Sequence, residues 1–121
     1  MMKIKPINSN VSFGYSSPLK TLYKKGKLPV KYGFYGDKLT KKNVSLEHLK
    51  PHSKGGKTTL DNLVLATKEN NQFRGDGDLK DFIDRDNVIR YLLQFMGVKR
   101  RGFNGDEYIR GILKTIEELT G

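Results

Sequence analysis

Apolar positions recur at helical spacing in some stretches of the chain and alternate at strand spacing in others, so a mixed architecture is predicted from the pattern alone. Leu19, Leu22 and Tyr23 fall on one face of a short helix. Ser17 is a good N-cap for it, Pro18 suits its first position, and Gly26 ends it. Residues 1–15 read as irregular, with Phe13 and Tyr15 available to tuck against the body. Aromatics alternate with turn residues in Tyr32-Gly33-Phe34-Tyr35-Gly36-Asp37, which predicts a hairpin or knuckle between Val30 and Leu39. The segment Val44 to Leu49 alternates apolar and polar as a strand does, and Pro51 stops it. Ser53 to Lys57 reads as a loop, and Leu63-Val64-Leu65-Ala66 as a short apolar strand. Thr67 can cap a helix running to about Arg74, with Gly75 as its stop. Further on, Asp86 or Asn87 can open a helix whose stripe of Val88, Ile89, Leu92, Leu93 and Met96 would be buried, with Gly97 closing it. Lys99-Arg100-Arg101-Gly102 reads as a basic link. Asn104 with Glu107 resembles a capping box for a last helix marked by Tyr108, Ile109, Ile112, Leu113 and Ile116. These stripes read as core, and the whole predicts a single α+β domain over residues 1–121.

Composition narrows the chemistry. At 121 residues the chain is long enough to bury a core. No apolar run is long enough to span a bilayer, and no apolar block follows the first lysines, so no secretory signal is expected and a cytoplasmic location is. Cysteine is absent, which excludes disulfides, Cys-ligated zinc, iron–sulfur clusters and thiol nucleophiles. The net charge of +10 is uneven. Residues 1–60 hold thirteen Lys against Asp37 and Glu47, a net +11, whereas residues 61–121 sum to −1. One strongly positive half predicts a polyanionic partner, against the plainer reading of a solvated lysine-rich surface.

The informative stretch runs from Glu47 to Asp76. The only two histidines, His48 and His52, lie in Glu47-His48-Leu49-Lys50-Pro51-His52-Ser53-Lys54-Gly55-Gly56. Asp61-Asn62-Leu63-Val64-Leu65 follows, and then Asn70-Asn71 and Arg74-Gly75-Asp76. Asn62 stands 14 residues after His48, and Asn71 stands 9 after Asn62. In order and spacing, residues 30–76 resemble the HNH endonuclease family. That resemblance implies a ββα-metal core over 30–76, flanked by the short N-terminal helix and a helical extension over 79–121. Carried over, His48 is the general base, Glu47 and Asn71 are the metal ligands, and Asn62 ties the hairpin loop and orients the base. Asn70 is the neighbouring alternative to Asn71. Many members of the family also hold a structural zinc through two Cys-x-x-Cys pairs. The matching places here are Tyr32 and Tyr35, and Thr67 and Asn70, so no such zinc is expected, and a small cluster of Tyr32, Phe34 and Tyr35 would replace it.

Physical chemistry bears on these roles separately. A neutral imidazole, with a reference pKa of about 6.5, can take a proton from water near neutrality. One carboxylate plus one amide oxygen is a hard, sparse donor set that suits Mg²⁺ or Mn²⁺ better than zinc. Adjacent strand residues point to opposite faces, so Glu47 and His48 could aim at one site only through a distortion, expected near Pro51. Lys50, His52, Lys54, Lys57 and Arg74 are the candidate nucleic-acid contacts, Arg74 as a phosphate clamp just past its helix. For His52 a solvated surface role, and for the Ser53–Lys57 loop a plain flexible turn, are the competing readings. The expectation is a metal-dependent endonuclease cutting double-stranded DNA, with weak sequence preference and no membrane partner. The alternatives are a catalytically silent nucleic-acid-binding protein on the same fold, or a basic protein that docks on an acidic one. A homodimer is left open.

Overall fold

The computed structural model describes residues 18–121. The readings made for the irregular start, for Phe13 and Tyr15 and for the Ser17 cap lie outside them. The fold is α+β. Helix α1 (Pro18–Lys24) leads through the Tyr32–Lys38 bridge to strand β1 (Val44–His48). Strand β2 (Leu63–Thr67) runs antiparallel to β1, with Glu47 opposite Val64 and His48 opposite Leu63. Helix α2 (Lys68–Arg74) follows directly, capped by the Thr67 hydroxyl, which accepts the Asn70 N–H at 3.1 Å. Helix α3 (Arg85–Leu93), the small hairpin of β3 (Lys99–Arg100) and β4 (Phe103–Asn104), and helix α4 (Gly105–Thr120) complete the chain. Short 3-10 turns occupy His52–Lys54, Leu60–Asn62 and Leu79–Asp81. Among the described residues no helix is long and apolar enough to cross a membrane.

Every residue of β2 is buried, which explains its unbroken apolar run. Among the described residues no third strand pairs with its outer edge, and one backbone bond and two tyrosine hydroxyls finish the hydrogen bonding instead. The Phe34 N–H donates to the Leu65 carbonyl at 2.9 Å, and the Leu65 N–H donates to the Tyr91 hydroxyl at 2.9 Å. Tyr91 and Tyr108 are linked hydroxyl to hydroxyl at 2.8 Å, and Tyr108 donates to the Leu63 carbonyl at 2.7 Å. Two phenols thus seal a buried edge that would otherwise strand polar groups. Around them Tyr91, Phe95, Phe103 and Tyr108 form an aromatic cluster, with Phe95 and Tyr108 centroids 4.8 Å apart. Phe34 joins it edge-on to Tyr91 at 5.7 Å, and Arg90 lies over the Tyr32 ring.

Three sequence expectations change. Helix α3 opens at Asp84, whose carboxylate accepts the Asn87 N–H, and not at Asp86 or Asn87. Its buried face is Val88, Tyr91 and Leu92, continued by Phe95, whereas Ile89, Leu93 and Met96 are exposed by 44%, 57% and 63%. The helix carries apolar residues on two faces, and the one that brings the Tyr91 hydroxyl to β2 is the one that packs. The basic link at 99–102 is the tip of the β3–β4 hairpin. The Asn104 cap is present, its side chain accepting the Glu107 N–H at 2.9 Å.

Candidate functional site

The connection between β1 and β2 is closed by Asn62. Its carbonyl oxygen accepts the Lys50 N–H at 2.8 Å, and its amide nitrogen donates to the Lys50 carbonyl at 3.1 Å and the Lys57 carbonyl at 2.9 Å. Asn62 is buried, so these bonds hold the loop with little competition from water. Gly56 packs so tightly beneath the loop that a Cβ there would meet the Lys50 carbonyl oxygen at 1.7 Å, which restricts the position to glycine.

His48 ends β1 at the mouth of this loop. It is half-buried, with Nε2 3.0 Å from the Thr58 hydroxyl and its ring centroid 6.3 Å from that of His52. Burial, and secondarily the nearby His52, push the His48 pKa below its usual 6.5 and favour the neutral ring. Lys50, His52 and Lys57 are exposed around it, and Lys54 makes an exposed ion pair with Asp78 at 3.3 Å.

Glu47 lies on the other face of β1 and is 3% exposed. Its Oε2 accepts the Tyr35 hydroxyl at 2.5 Å and the Arg74 Nη1 at 3.2 Å. Burial raises the Glu47 pKa, and the Tyr35 hydrogen bond and the Arg74 charge pull it partly back. Burial and the Glu47 charge also raise the Tyr35 pKa. Arg74 is itself buried: Nε donates to the Gly77 carbonyl at 2.8 Å, Nη1 to His48 O at 3.0 Å, and Nη2 to Leu49 O at 2.7 Å. The surface phosphate clamp expected of Arg74 is therefore corrected. A carboxylate buried at position 47 requires a charged partner, and the guanidinium turns inward to supply it. From the same helix Asn71 donates its amide nitrogen to the Ser45 hydroxyl at 2.8 Å and the Leu46 carbonyl at 3.0 Å. Asn70 turns elsewhere, to Asp37 at 2.6 Å.

Glu47 and Arg74 are thus paired between β1 and α2, Asn71 binds β1 from the same helix, and the His48 side chain meets Thr58 and His52 instead of these three. The β1 register runs unbroken through His48, so the distortion expected near Pro51 does not re-aim the Glu47–His48 pair. Among the described residues no three His, Cys, Asp or Glu side chains gather as a metal-binding group. The smaller Glu47 and Asn71 set does fit a hard cation in donor chemistry. Each residue is anchored through one polar atom, while Glu47 Oε1 and Asn71 Oδ1 accept no hydrogen bond among the described residues. Tyr35, Ser45 and Thr58 are site residues that the sequence reading did not assign. Tyr35 alone carried a signal, as an aromatic placed where a buried acid would need a donor.

The fold therefore defines a mixed helix-and-sheet protein with two small antiparallel sheets. The chain matches no family model, no curated protein and no solved structure.

Proposed function

We propose that the chain is an HNH-type endonuclease with a ββα-metal core, hydrolysing phosphodiester bonds in double-stranded DNA in the cytoplasm. The observation that carries this reading is the Asn62-locked loop, which leaves His48 half-exposed at its mouth with lysines around it. The order of strand, loop, strand and helix, with Asn71 reaching β1 from α2, supports it. His48, neutral near pH 7, accepts a proton from the attacking water, a contribution of about 10²–10⁴-fold for a well-placed base. The Thr58 hydroxyl steadies the ring through Nε2, and Arg74 fixes the backbone beneath it by binding the His48 and Leu49 carbonyls. Lys50, His52, Lys54 and Lys57 draw in and orient the phosphate backbone. Glu47 and Asn71 would hold one Mg²⁺ or Mn²⁺, and the end of β1 must turn on binding DNA so that this ion and His48 meet one phosphate. When bound, the ion supplies charge compensation at the phosphate and at the departing oxygen.

The test is plasmid nicking by purified protein with Mg²⁺, Mn²⁺ or EDTA, beside His48→Ala. Metal-dependent nicking that His48→Ala loses supports the enzyme. The same nicking from both proteins would end this assignment.

One observation favours a second reading, a nucleic-acid-binding protein that does not cut. The Glu47 charge is already met by the Arg74 guanidinium and the Tyr35 hydroxyl. Salt-sensitive DNA binding with no metal-dependent nicking would select it.

A further inference from the structure

The fold joins two basic segments that lie far apart in sequence. Lys24, Lys25 and Lys27 stand at the end of α1 and just beyond it, and Lys99, Arg100 and Arg101 form the tip of the β3–β4 hairpin. Arg100 Nε donates to the Lys27 carbonyl at 2.9 Å, across 73 residues, and its Nη1 donates to the Lys99 carbonyl at 2.7 Å. All six side chains are exposed. The ion pairs among the described residues are Lys54–Asp78 and Arg74–Glu47, so none of the six is neutralised by one. Asp61 and Glu107 line the same cavity as Lys99 and Arg100 without an ion pair to them, and Asp106, beside Glu107, accepts the Gly97 N–H at 3.0 Å. Like charges held side by side repel. Assembling six of them from two segments therefore opposes the fold slightly, unless a polyanion offsets the repulsion.

The position of this ridge is informative. A cavity of about 470 Å³ separates the hairpin from the Leu60–Asn62 turn, with Lys99 and Arg100 on one side and Leu60 and Asp61 on the other. The turn belongs to the same loop that Asn62 locks beside His48. We infer that the ridge of Lys24, Lys25, Lys27, Lys99, Arg100 and Arg101 is a second nucleic-acid contact surface. It grips the phosphate backbone of duplex DNA away from His48 and supplies most of the electrostatic affinity. This rests on the nucleic-acid reading above but not on cleavage. The six side chains include no aromatic residue and the hairpin tip no base-reading helix, so the contact is to phosphate and independent of sequence.

The experiment measures binding of the full chain to a labelled 20-base-pair duplex by fluorescence anisotropy, in EDTA, across a series of NaCl concentrations. The ridge variant is Lys24→Ala/Lys25→Ala/Lys99→Ala/Arg101→Ala, which leaves Arg100 in place because it braces the hairpin. A loop variant, Lys50→Ala/Lys54→Ala/Lys57→Ala, is the comparison. If the four removed charges each meet a phosphate, the slope of log affinity against log salt becomes shallower by about 3.6. The loop variant should lose less. Matching thermal melts show that the variants are folded, and a charge-reversal version, Lys24→Glu/Lys99→Glu, should weaken binding further. A ridge variant with the wild-type slope overturns the proposal, whatever the nicking assay gives. A ridge-dependent slope without nicking upholds it and removes only the nuclease reading. Ridge-dependent binding to vesicles containing phosphatidylserine, with an unchanged DNA slope, overturns it in favour of a membrane surface. No duplex binding at low salt removes both readings.

Discussion

The unit from the Tyr32 knuckle to Arg74 and the helical extension after it are held together by different means. In the first, a network of buried polar groups is added to the apolar core of Phe34, Val44, Leu49 and β2. Glu47 meets Arg74 and Tyr35, Asn62 spans the loop, and Asn71 grips β1. In the second, rings carry the structure: Tyr91, Phe95, Phe103 and Tyr108 interlock, and only their hydroxyls reach back to β2. A directional network fixes where side chains point, as a reactive site requires. An aromatic cluster supplies burial and tolerates small shifts. The extension thus anchors the sheet, and the polar unit arranges groups upon it.

The largest effect expected on the anchoring region is from Phe95→Ala. This fully buried ring touches Tyr91, Phe103 and Tyr108, and its loss should cost about 3–5 kcal/mol in a denaturant melt. A loss below about 1 kcal/mol would mean that the cluster is not what holds the extension. Arg74→Met tests the polar region at similar scale. It leaves Glu47 buried without its cation, at a cost of about 3–5 kcal/mol at neutral pH. Glu47→Gln/Arg74→Met should recover much of that loss, and failure to recover would assign the effect to the carbonyl contacts of Arg74.

Tyr91→Phe sharpens the boundary between the two regions. It removes one hydroxyl and leaves the Leu65 N–H unpaired, for about 1–3 kcal/mol, with reduced hydrogen-exchange protection at Leu65 as the specific sign. The pH dependence of His48 is a smaller effect. Its folded pKa lies below 6.5, so the stability it contributes is present above 6.5 and is lost as pH falls from there through the folded value. Wild type and His48→Ala, melted at a series of pH values, should differ in slope in that window. A pKa raised above 6.5 in an NMR titration would contradict the neutral base. Least of all should Lys54→Ala matter to stability: its pair with Asp78 is exposed on both sides, and such pairs contribute about 0–1 kcal/mol.

Local signals in the chain specified the element types. Alternation over Val44–His48, the Thr67 and Asn104 caps, and the stops at Gly26 and Gly75 depend on residues within a few positions of one another, and they are found where the pattern put them. The order Glu47, His48, Asn62, Asn71 is also read from the chain, although intervals of 14 and 9 residues do not say where the side chains point. Three features were not legible: which apolar face of α3 is buried, that Arg74 turns inward, and that Tyr35 and Thr58 touch the site residues. Each depends on a partner ten or more residues away: the β2 edge for Tyr91, the buried Glu47 carboxylate for Arg74 and Tyr35, and the His48 ring for Thr58. Periodicity and capping are properties of a short run of backbone, so sequence alone carries them. The pairing of a buried charge or an unfilled hydrogen bond is decided only when packing removes water and leaves one partner within reach.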